Sequence, residues 1–338
     1  MSVDGARYRM GANLLSCYIA ENNCLKRVEQ GSVDVDSIVW FDLYNPSVDR
    51  AEELFVEAAL KVDVPTREEV NTLELSSRLY QEDGAVFLTE TMLANTDHKD
   101  PRTVSVTFVL KGNRLVTLRY DEFPPLKLCV DRALKPGSGC VTGQAVFKSI
   151  IETTLDRVGE VLERVGAKVD ALSHTIFLEK GTKAFSNRAF KEVLLTLGRE
   201  ETVVAKVRDS LVNLGRMSVF CVQAANTGLV SRELEVFFKT EARDIEALAQ
   251  YVSHLTSKIT FLLDATLGLV SIEQNAIIKI FSVAAVLFLP PTLIASIYGM
   301  NFHFMPELGW IWGYPLALVL MVISALLPVW FFRSRGWL

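Results

Sequence analysis

The sequence has 338 residues, 50% of them hydrophobic and 22% charged, with a formal net charge of -5. That composition supports a sizeable folded part. A net acidic chain without a basic stripe lacks the charge that neutralises phosphates, which excludes nucleic acid as a partner. The charge is also unevenly spread: from Ile280 to Phe332 there is no Lys, Arg or Asp and a single Glu, so nearly all the acid lies elsewhere. The cysteines, Cys17, Cys24, Cys129, Cys140 and Cys221, form no CxxC pair. They read as reduced thiols, not as a disulfide framework or a zinc site. The N-terminal MSVDGARYRMGANLLSCY carries acid early and lacks the long apolar run of a signal peptide. The first two hundred or more residues are therefore expected to stay in the cytoplasm.

Up to about residue 140, LLSCYIA, SIVWFDLY, AVFLTETML and TVSVTFVLKGNRLVTLRY predict strands, the last a hairpin turning at Gly112-Asn113. RAEELFVEAALKV predicts one helix among them, so the region reads as an α/β domain. Phe123-Pro124-Pro125 and Pro136-Gly137-Ser138-Gly139 interrupt the pattern, and after Gly143 the periodicity becomes helical. From Gln144 to about Lys180 apolar residues recur at three and four (Phe147, Ile151, Leu155, Val158, Leu162, Val165, Val169, Leu172). Asn187 to about Ala224 predicts an antiparallel partner, and a third helix starts near Val230 and meets no proline until Pro290. Its first part is polar and its last part apolar, as expected of a helix passing from cytoplasm into bilayer. The expected division is a cytoplasmic α/β domain over 1–142, a long-helix stalk over 143–276 and a membrane hairpin over 277–338.

The hairpin's spans are predicted at about 280–300 and 313–332, joined by an outer loop over 301–312. Lys279 precedes the first span and Arg333 and Arg335 follow the second, so the positive-inside rule makes both ends cytoplasmic. Trp310, Trp312 and Tyr314 suit the outer interface, and Trp330 and Trp337 the inner one. Two spans cannot enclose a watery path, so transport requires several chains around an axis. On the first span Ile278, Ser282, Ala285, Leu289, Thr292, Ser296 and Gly299 share a face, opposite Ile280, Val283, Leu287, Ile294 and Tyr298. Such a small and hydroxyl stripe has two readings, close helix packing or a pore lining. Pro290-Pro291 removes backbone donors within the span, and lipid cannot satisfy the freed carbonyls.

Tyr298-Gly299-Met300-Asn301 at the outer end of this span, followed by FMPEL and then GYP, resembles the CorA family of magnesium and cobalt transport proteins. The similarity extends through SIEQNAIIKIFSV, FLPPT and the final Gly336-Trp337-Leu338, and the domain order covers the whole chain. The resemblance implies a homopentameric channel of the bacterial inner membrane, with an α/β cytoplasmic domain, a long helical funnel and two C-terminal transmembrane helices per subunit. Its cargo is Mg²⁺, with Co²⁺ and Ni²⁺ as companions, and Mg²⁺ is also the regulatory ion that closes it from inside. By position, Gly299, Met300 and Asn301 form the selectivity filter. Asn275, Ile278, Phe281, Leu289 and Thr292 line the pore and gate, and Asp264 with Asn275 rings the inner mouth. Glu307, the single acid of the outer loop, reads either as a cation-concentrating ring or as a solvated side chain. His303 reads as a loop side chain, with no second His or Cys nearby. Candidates for the regulatory site are Glu241, Asp244 and Glu246 on the long helix, opposed by Asp97 and Asp100 of the next subunit, with a solvated helix face as the alternative.

No phosphate loop supports pumping, and the membrane potential suffices: two charges crossing 100 mV gain about 4.6 kcal/mol. The alternatives are a zinc transporter of the same superfamily, whose outer motif usually departs from Gly-Met-Asn, and a membrane-anchored scaffold or binding protein. No nucleophile, base or metal-ligand cluster with recognisable spacing points to an enzyme or an organic cofactor. The expected partners are further copies of the chain, membrane lipid and divalent cations.

Overall fold

The structure, a computed structural model, describes residues 14–29, 34–47, 50–72, 78–95, 102–179, 187–301, 303 and 305–335. The chain separates into two compact units, Met1–Glu179 with Lys191–Leu262, and Lys180–Phe190 with Leu263–Leu338.

In the first unit the strands are β1 (Leu15–Glu21), β2 (Cys24–Val28), β3 (Ile38–Tyr44), β4 (Leu79–Glu82), β5 (Ala85–Asn95), β6 (Arg102–Lys111) and β7 (Arg114–Arg119). They form one sheet in the order β2-β1-β3-β7-β6-β5-β4. All neighbours are antiparallel except β3 and β7, which run parallel with Trp40 beside Leu115 and Tyr44 beside Arg119. Successive side chains alternate between the faces. One face therefore brings Phe41, Leu43, Val116 and Leu118 onto α1 (Ala51–Leu60), where Val56 and Leu60 complete a buried apolar cluster. The other face carries Trp40, Asp42 and Tyr44 beside Thr117 and Arg119, whose polar atoms pair with one another except for the buried Arg119 Nε. Trp40 Nε1 donates to Thr117 Oγ1 at 3.1 Å, Thr117 Oγ1 donates to Asp42 Oδ1 at 2.7 Å, and Arg119 donates to Asp42 Oδ2 at 3.0 Å.

The strands predicted at residues 14–20, 37–44, 85–93 and in the 103–120 hairpin are present, but the single helix expected before residue 140 has company. Short α2 (Arg67–Thr72) and α3 (Pro124–Ala133) join α1, and β2 and β4 add short edge strands. The two prolines that interrupt the strand pattern occupy the first turn of α3. Backbone N–H groups there have no intrahelical acceptor, so proline costs the helix nothing.

The helical part follows as α4 (Gly143–His174), α5 (Asn187–Asn226) and α6 (Arg232–Tyr298), and a π turn, Thr175–Glu179, extends α4 almost to the predicted end. The predicted stripe of α4 is its inner face: Phe147, Ile151, Leu155, Val158, Leu162, Val165 and Val169 are buried. Phe147 lies between Phe108 of β6 and Phe238 of α6, with ring centres 5.1 and 5.8 Å away, and so ties the sheet to both helices. α5 returns antiparallel to α4, with Lys168 paired to Glu200 at 2.7 Å. α6 then runs antiparallel to α5, Ser218 Oγ donating to Phe238 O and Arg208 reaching Thr256. The second unit contains the end of α6, a 3₁₀ turn Pro306–Gly309 and α7 (Gly313–Ser334). α6 and α7 are both long and apolar enough to cross a membrane.

The junction of sheet and stalk rests on Gly143. Thr142 caps α4 by accepting from Ala145 N at 3.1 Å, and Gly143 N donates to Asn113 O at 2.6 Å. A Cβ on Gly143 would lie 2.3 Å from the backbone nitrogen of Leu115, against main chain that has no freedom to turn aside. Gly143→Ala is expected to lower stability by about 1–3 kcal/mol, the usual cost of overpacking. A thermal unfolding midpoint of the purified protein equal to wild type would contradict this.

Candidate functional site

The residues expected along the conduction path lie on one uncovered face of the last part of α6. Asn275, Ile278, Phe281, Ser282, Ala285, Leu289, Thr292, Ser296 and Gly299 are all exposed. Ile278, Phe281 and Leu289 expose 61%, 71% and 67% of their surface, so their own chain leaves them open. On the opposite face Val283, Leu287, Ile294 and Tyr298 are partly buried, while Ile280 is exposed. The small and hydroxyl stripe thus lies within the wide part of the helix that its own chain leaves uncovered, a part that also includes Ile280, Phe288, Leu293 and Ile297.

Pro290 and Pro291 stand inside the helix without ending it. Their missing N–H groups leave the carbonyls of Val286 and Leu287 without their usual donors. Thr292 Oγ1 donates to Phe288 O at 2.6 Å, one turn back. Its proton is therefore committed to the helix, and its lone pairs remain for an outside donor.

α6 ends at Tyr298, and the next two N–H groups fold back onto its last turn: Gly299 N donates to Ala295 O at 2.9 Å and Met300 N to Ile297 O at 3.3 Å. A Cβ on Gly299 would sit 3.0 Å from Ala295 O, closer than ordinary contact. Met300 and Asn301 are exposed, and so is His303. Glu307 falls within the 3₁₀ turn Pro306–Gly309. Trp310, Trp312 and Tyr314 are exposed around the start of α7 and Trp330 near its end, while Trp337 lies outside the described residues. Asp264 is exposed on α6, well before the apolar span.

Two of the five proposed regulatory acids come together with others that sequence reasoning missed. Glu241 and Asp244 of α6 face Glu152, Asp156, Glu160 and Glu163 of α4 across a groove of about 750 Å³. Glu246 is exposed and does not line the groove, which separates it from its two companions. Asp97 and Asp100 lie outside the described residues. The missed acids recur at three and four along α4, opposite its buried stripe, so helical periodicity already put them on one face. Arg132 is the cation lining the groove, paired with Asp156 at 3.7 Å. Burial raises the Glu241 pKa, and Asp244, Glu152 and Asp156 raise it further. Among the described residues no three His, Cys, Asp or Glu side chains converge closely enough to hold a metal ion by themselves. The cysteines are free, four of them buried. Burial pushes the Cys17 and Cys129 thiols up to about 11 and raises Cys140 and Cys221 as well, which keeps these thiols protonated.

Comparison with known proteins gives a consistent picture. The family model described as "CorA-like Mg2+ transporter protein" matches residues 35–334. The magnesium transport protein CorA of Pasteurella multocida (strain Pm70) is 35% identical over 326 residues, spanning 96% of this chain and all of that protein. The protein of the same name from Escherichia coli (strain K12) is 34% identical over 328 residues with the same coverage. Among solved structures, the complete CorA magnesium transporter of Methanocaldococcus jannaschii superposes with a TM-score of 0.72 at 17% identity, covering 97% of this chain and all of that one. The full-length CmaX protein gives 0.70 at 16% identity with equal coverage. At that identity the two structures establish the fold: a mixed-sheet N-terminal domain, a long helix and two C-terminal helices.

The groove generates a pH test. A carboxyl whose folded pKa is raised stabilises the fold fully below its unfolded pKa, near 4.5, and that contribution is lost as pH rises through the folded value. Glu241→Gln should therefore raise the thermal midpoint at pH 8 and leave it nearly unchanged at pH 4. Equal shifts at both pH values would show that the groove does not disfavour the Glu241 charge.

Proposed function

The chain belongs to the CorA-like Mg2+ transporter family, and from that premise we propose that it is one subunit of a homopentameric Mg²⁺ uptake channel in the bacterial inner membrane. Mg²⁺ transport follows from the family, whose named magnesium transport proteins match this chain over their full length. The pentamer, the cytoplasmic placement of both termini and the division at about 142 and 276 are our reading. The membrane potential drives the uptake, and Co²⁺ and Ni²⁺ share the path.

The observation that carries the reading is the position of Gly299-Met300-Asn301 at the end of an apolar helix whose small and hydroxyl face its own chain leaves uncovered. Arranged around an axis, five such faces supply what a hydrated cation requires. Mg²⁺ dehydrates reluctantly, so its site offers oxygens to the water shell without replacing it. The Asn301 amides and the Gly299 carbonyls form the outer ring, with Met300 between them. Thr292 adds a second ring, with its lone pairs free because its proton is bonded to Phe288 O. Leu289, Phe281 and Ile278 form an apolar narrowing that closes by dewetting. Asn275 and Asp264 ring the inner mouth, and Glu307 raises the local cation concentration outside.

Closure by intracellular Mg²⁺ is supported by the acidic groove. Six carboxylates line it, and their mutual repulsion is relieved by a cation lying among them. A Mg²⁺ ion that keeps part of its water shell suits such a groove, with Asp97 and Asp100 of the next subunit as further ligands. Loss of the ion then biases the ring toward open states.

Two measurements test the path. Asn301→Leu keeps the bulk and removes the amide oxygens, so Mg²⁺ uptake into proteoliposomes should fall to background while the pentamer survives in detergent. Normal uptake would remove the filter assignment. Leu289→Asn should wet the narrowing and raise basal flux at high internal Mg²⁺; an unchanged flux would move the barrier to Phe281 and Ile278.

A further inference from the structure

The described residues bury four acids, Asp42, Glu53, Glu90 and Glu200, each at 5% exposure or less. Three of them sit beside a cation: Asp42 pairs with Arg119 at 3.0 Å, Glu53 with Arg50 at 2.5 Å and Glu200 with Lys168 at 2.7 Å. Glu90 is the exception. Among the described residues no cation pairs with it, and Arg216 and Arg78 act on it by charge without a hydrogen bond.

The register of the sheet accounts for this isolation. Glu90 stands opposite Val106 of β6, and Val106 opposite Arg119 of β7, so Glu90 lies on the same face as Arg119. Its neighbours on that face, Leu88, Met92 and Val106, are fully buried. The helix that covers it is α5, which is tied to β5 just beyond Glu90: Asn213 Nδ2 donates to Thr91 O at 3.1 Å, and Leu93 N donates to Ser210 Oγ at 3.3 Å. The same helix brings the buried Cys221 within reach of the Glu90 charge, which helps to raise the thiol pKa. The groups facing Glu90 are therefore Arg216 and Cys221 from α5, Arg78 from the residue before β4, and the apolar Val106 from β6.

Burial is the largest influence on this carboxyl and pushes its pKa up to about 7, against the pull of both arginines. When α5 lifts from β5 the carboxyl meets water, and its pKa returns toward the ordinary value of 4.5. Protons therefore favour the seated helix. Their stabilisation is complete below the ordinary value and is lost as pH rises through the raised one. Between the two values each pH unit makes opening about tenfold easier, and the effect levels off above the raised value.

We propose that Glu90 is a proton latch: while protonated it seats α5 on β5, and on ionising it loosens the helix from Ser210 to Cys221. Ser218 in that stretch donates to Phe238 O, so the latch also sets how firmly the first part of α6 is held. The inference concerns the first unit alone and does not rest on the channel reading.

Hydrogen–deuterium exchange of the full-length protein in detergent reads the latch directly. After correction for the intrinsic pH dependence of amide exchange, the α5 amides from Ser210 to Cys221 should open about tenfold or more at pH 8 than at pH 5. Glu90→Gln keeps the shape of the protonated acid and should hold these amides protected at both pH values. Glu90→Leu, an apolar replacement of similar size, carries the same expectation should the first variant fail to fold. Glu241→Gln neutralises the groove carboxyl whose pKa is also raised and should leave the wild-type α5 profile in place. Equal opening of wild-type α5 at the two pH values would overturn the proposal. So would a pH dependence that survives in a folded Glu90 variant, or one that disappears in Glu241→Gln.

Discussion

The organising constraint is an unpartnered face on a membrane helix. A span in lipid must satisfy its backbone internally, and α6 does so except where Pro290 and Pro291 withdraw two donors. Among the described residues one other helix, α7, is long and apolar enough to span, and the stripe from Ile278 to Gly299 stays open. The continuous helix Arg232–Tyr298 carries the stripe on the same element that packs against the sheet domain through Phe238. The Gly143 junction fixes the start of the neighbouring helix against the sheet backbone.

Much of this was legible in the sequence because long elements announce themselves by period. α4 shows its buried face at three and four, the change at Gly143 marks the true start of the helical part, and an absence of charge marks both spans. Short elements escaped for physical reasons. β2 and β4 are edge strands of five and four residues, too short for alternation to stand out. In α3 two prolines looked like breakers, since the same residue that ends a helix also suits its first turn.

The acidic groove and the sheet's polar network were illegible for a different reason. Glu152, Asp156, Glu160 and Glu163 have the spacing of an ordinary solvated face, and only the packing of α4 beside α6 turns that face toward Glu241 and Asp244. Likewise Trp40, Asp42 and Tyr44 sit at alternate positions of a strand in which Asp42 is the one charged residue. Thr117 and Arg119 make sense of Asp42 only once β7 is known to lie beside β3, about 75 residues away in sequence. Contacts of that range are set by topology, which periodicity does not reveal.

In the channel reading, the outer end of α6 can draw in a cation without stripping it. From Ile280 to Pro306 the chain has no acidic residue, so in the channel reading the attraction there, beyond that of Glu307, comes from the backbone. A helix C-terminus carries the equivalent of about half a negative charge, and α6 ends immediately before Gly299. Ala295 and Ile297 are engaged by the N–H groups of Gly299 and Met300, while the other carbonyls of the last turn are directed beyond the helix end. In the proposed pentamer five such ends surround one mouth and sum to a few negative charges, spread over dipoles and amides with no carboxylate among them. A carboxylate ring at contact distance would compete for the inner coordination sphere of Mg²⁺, whereas neutral oxygens hydrogen-bond to the water already there. On the proposed reading, the absence of acid from this stretch and the presence of Asn301 at its end both answer one requirement, that the ion enter with its water.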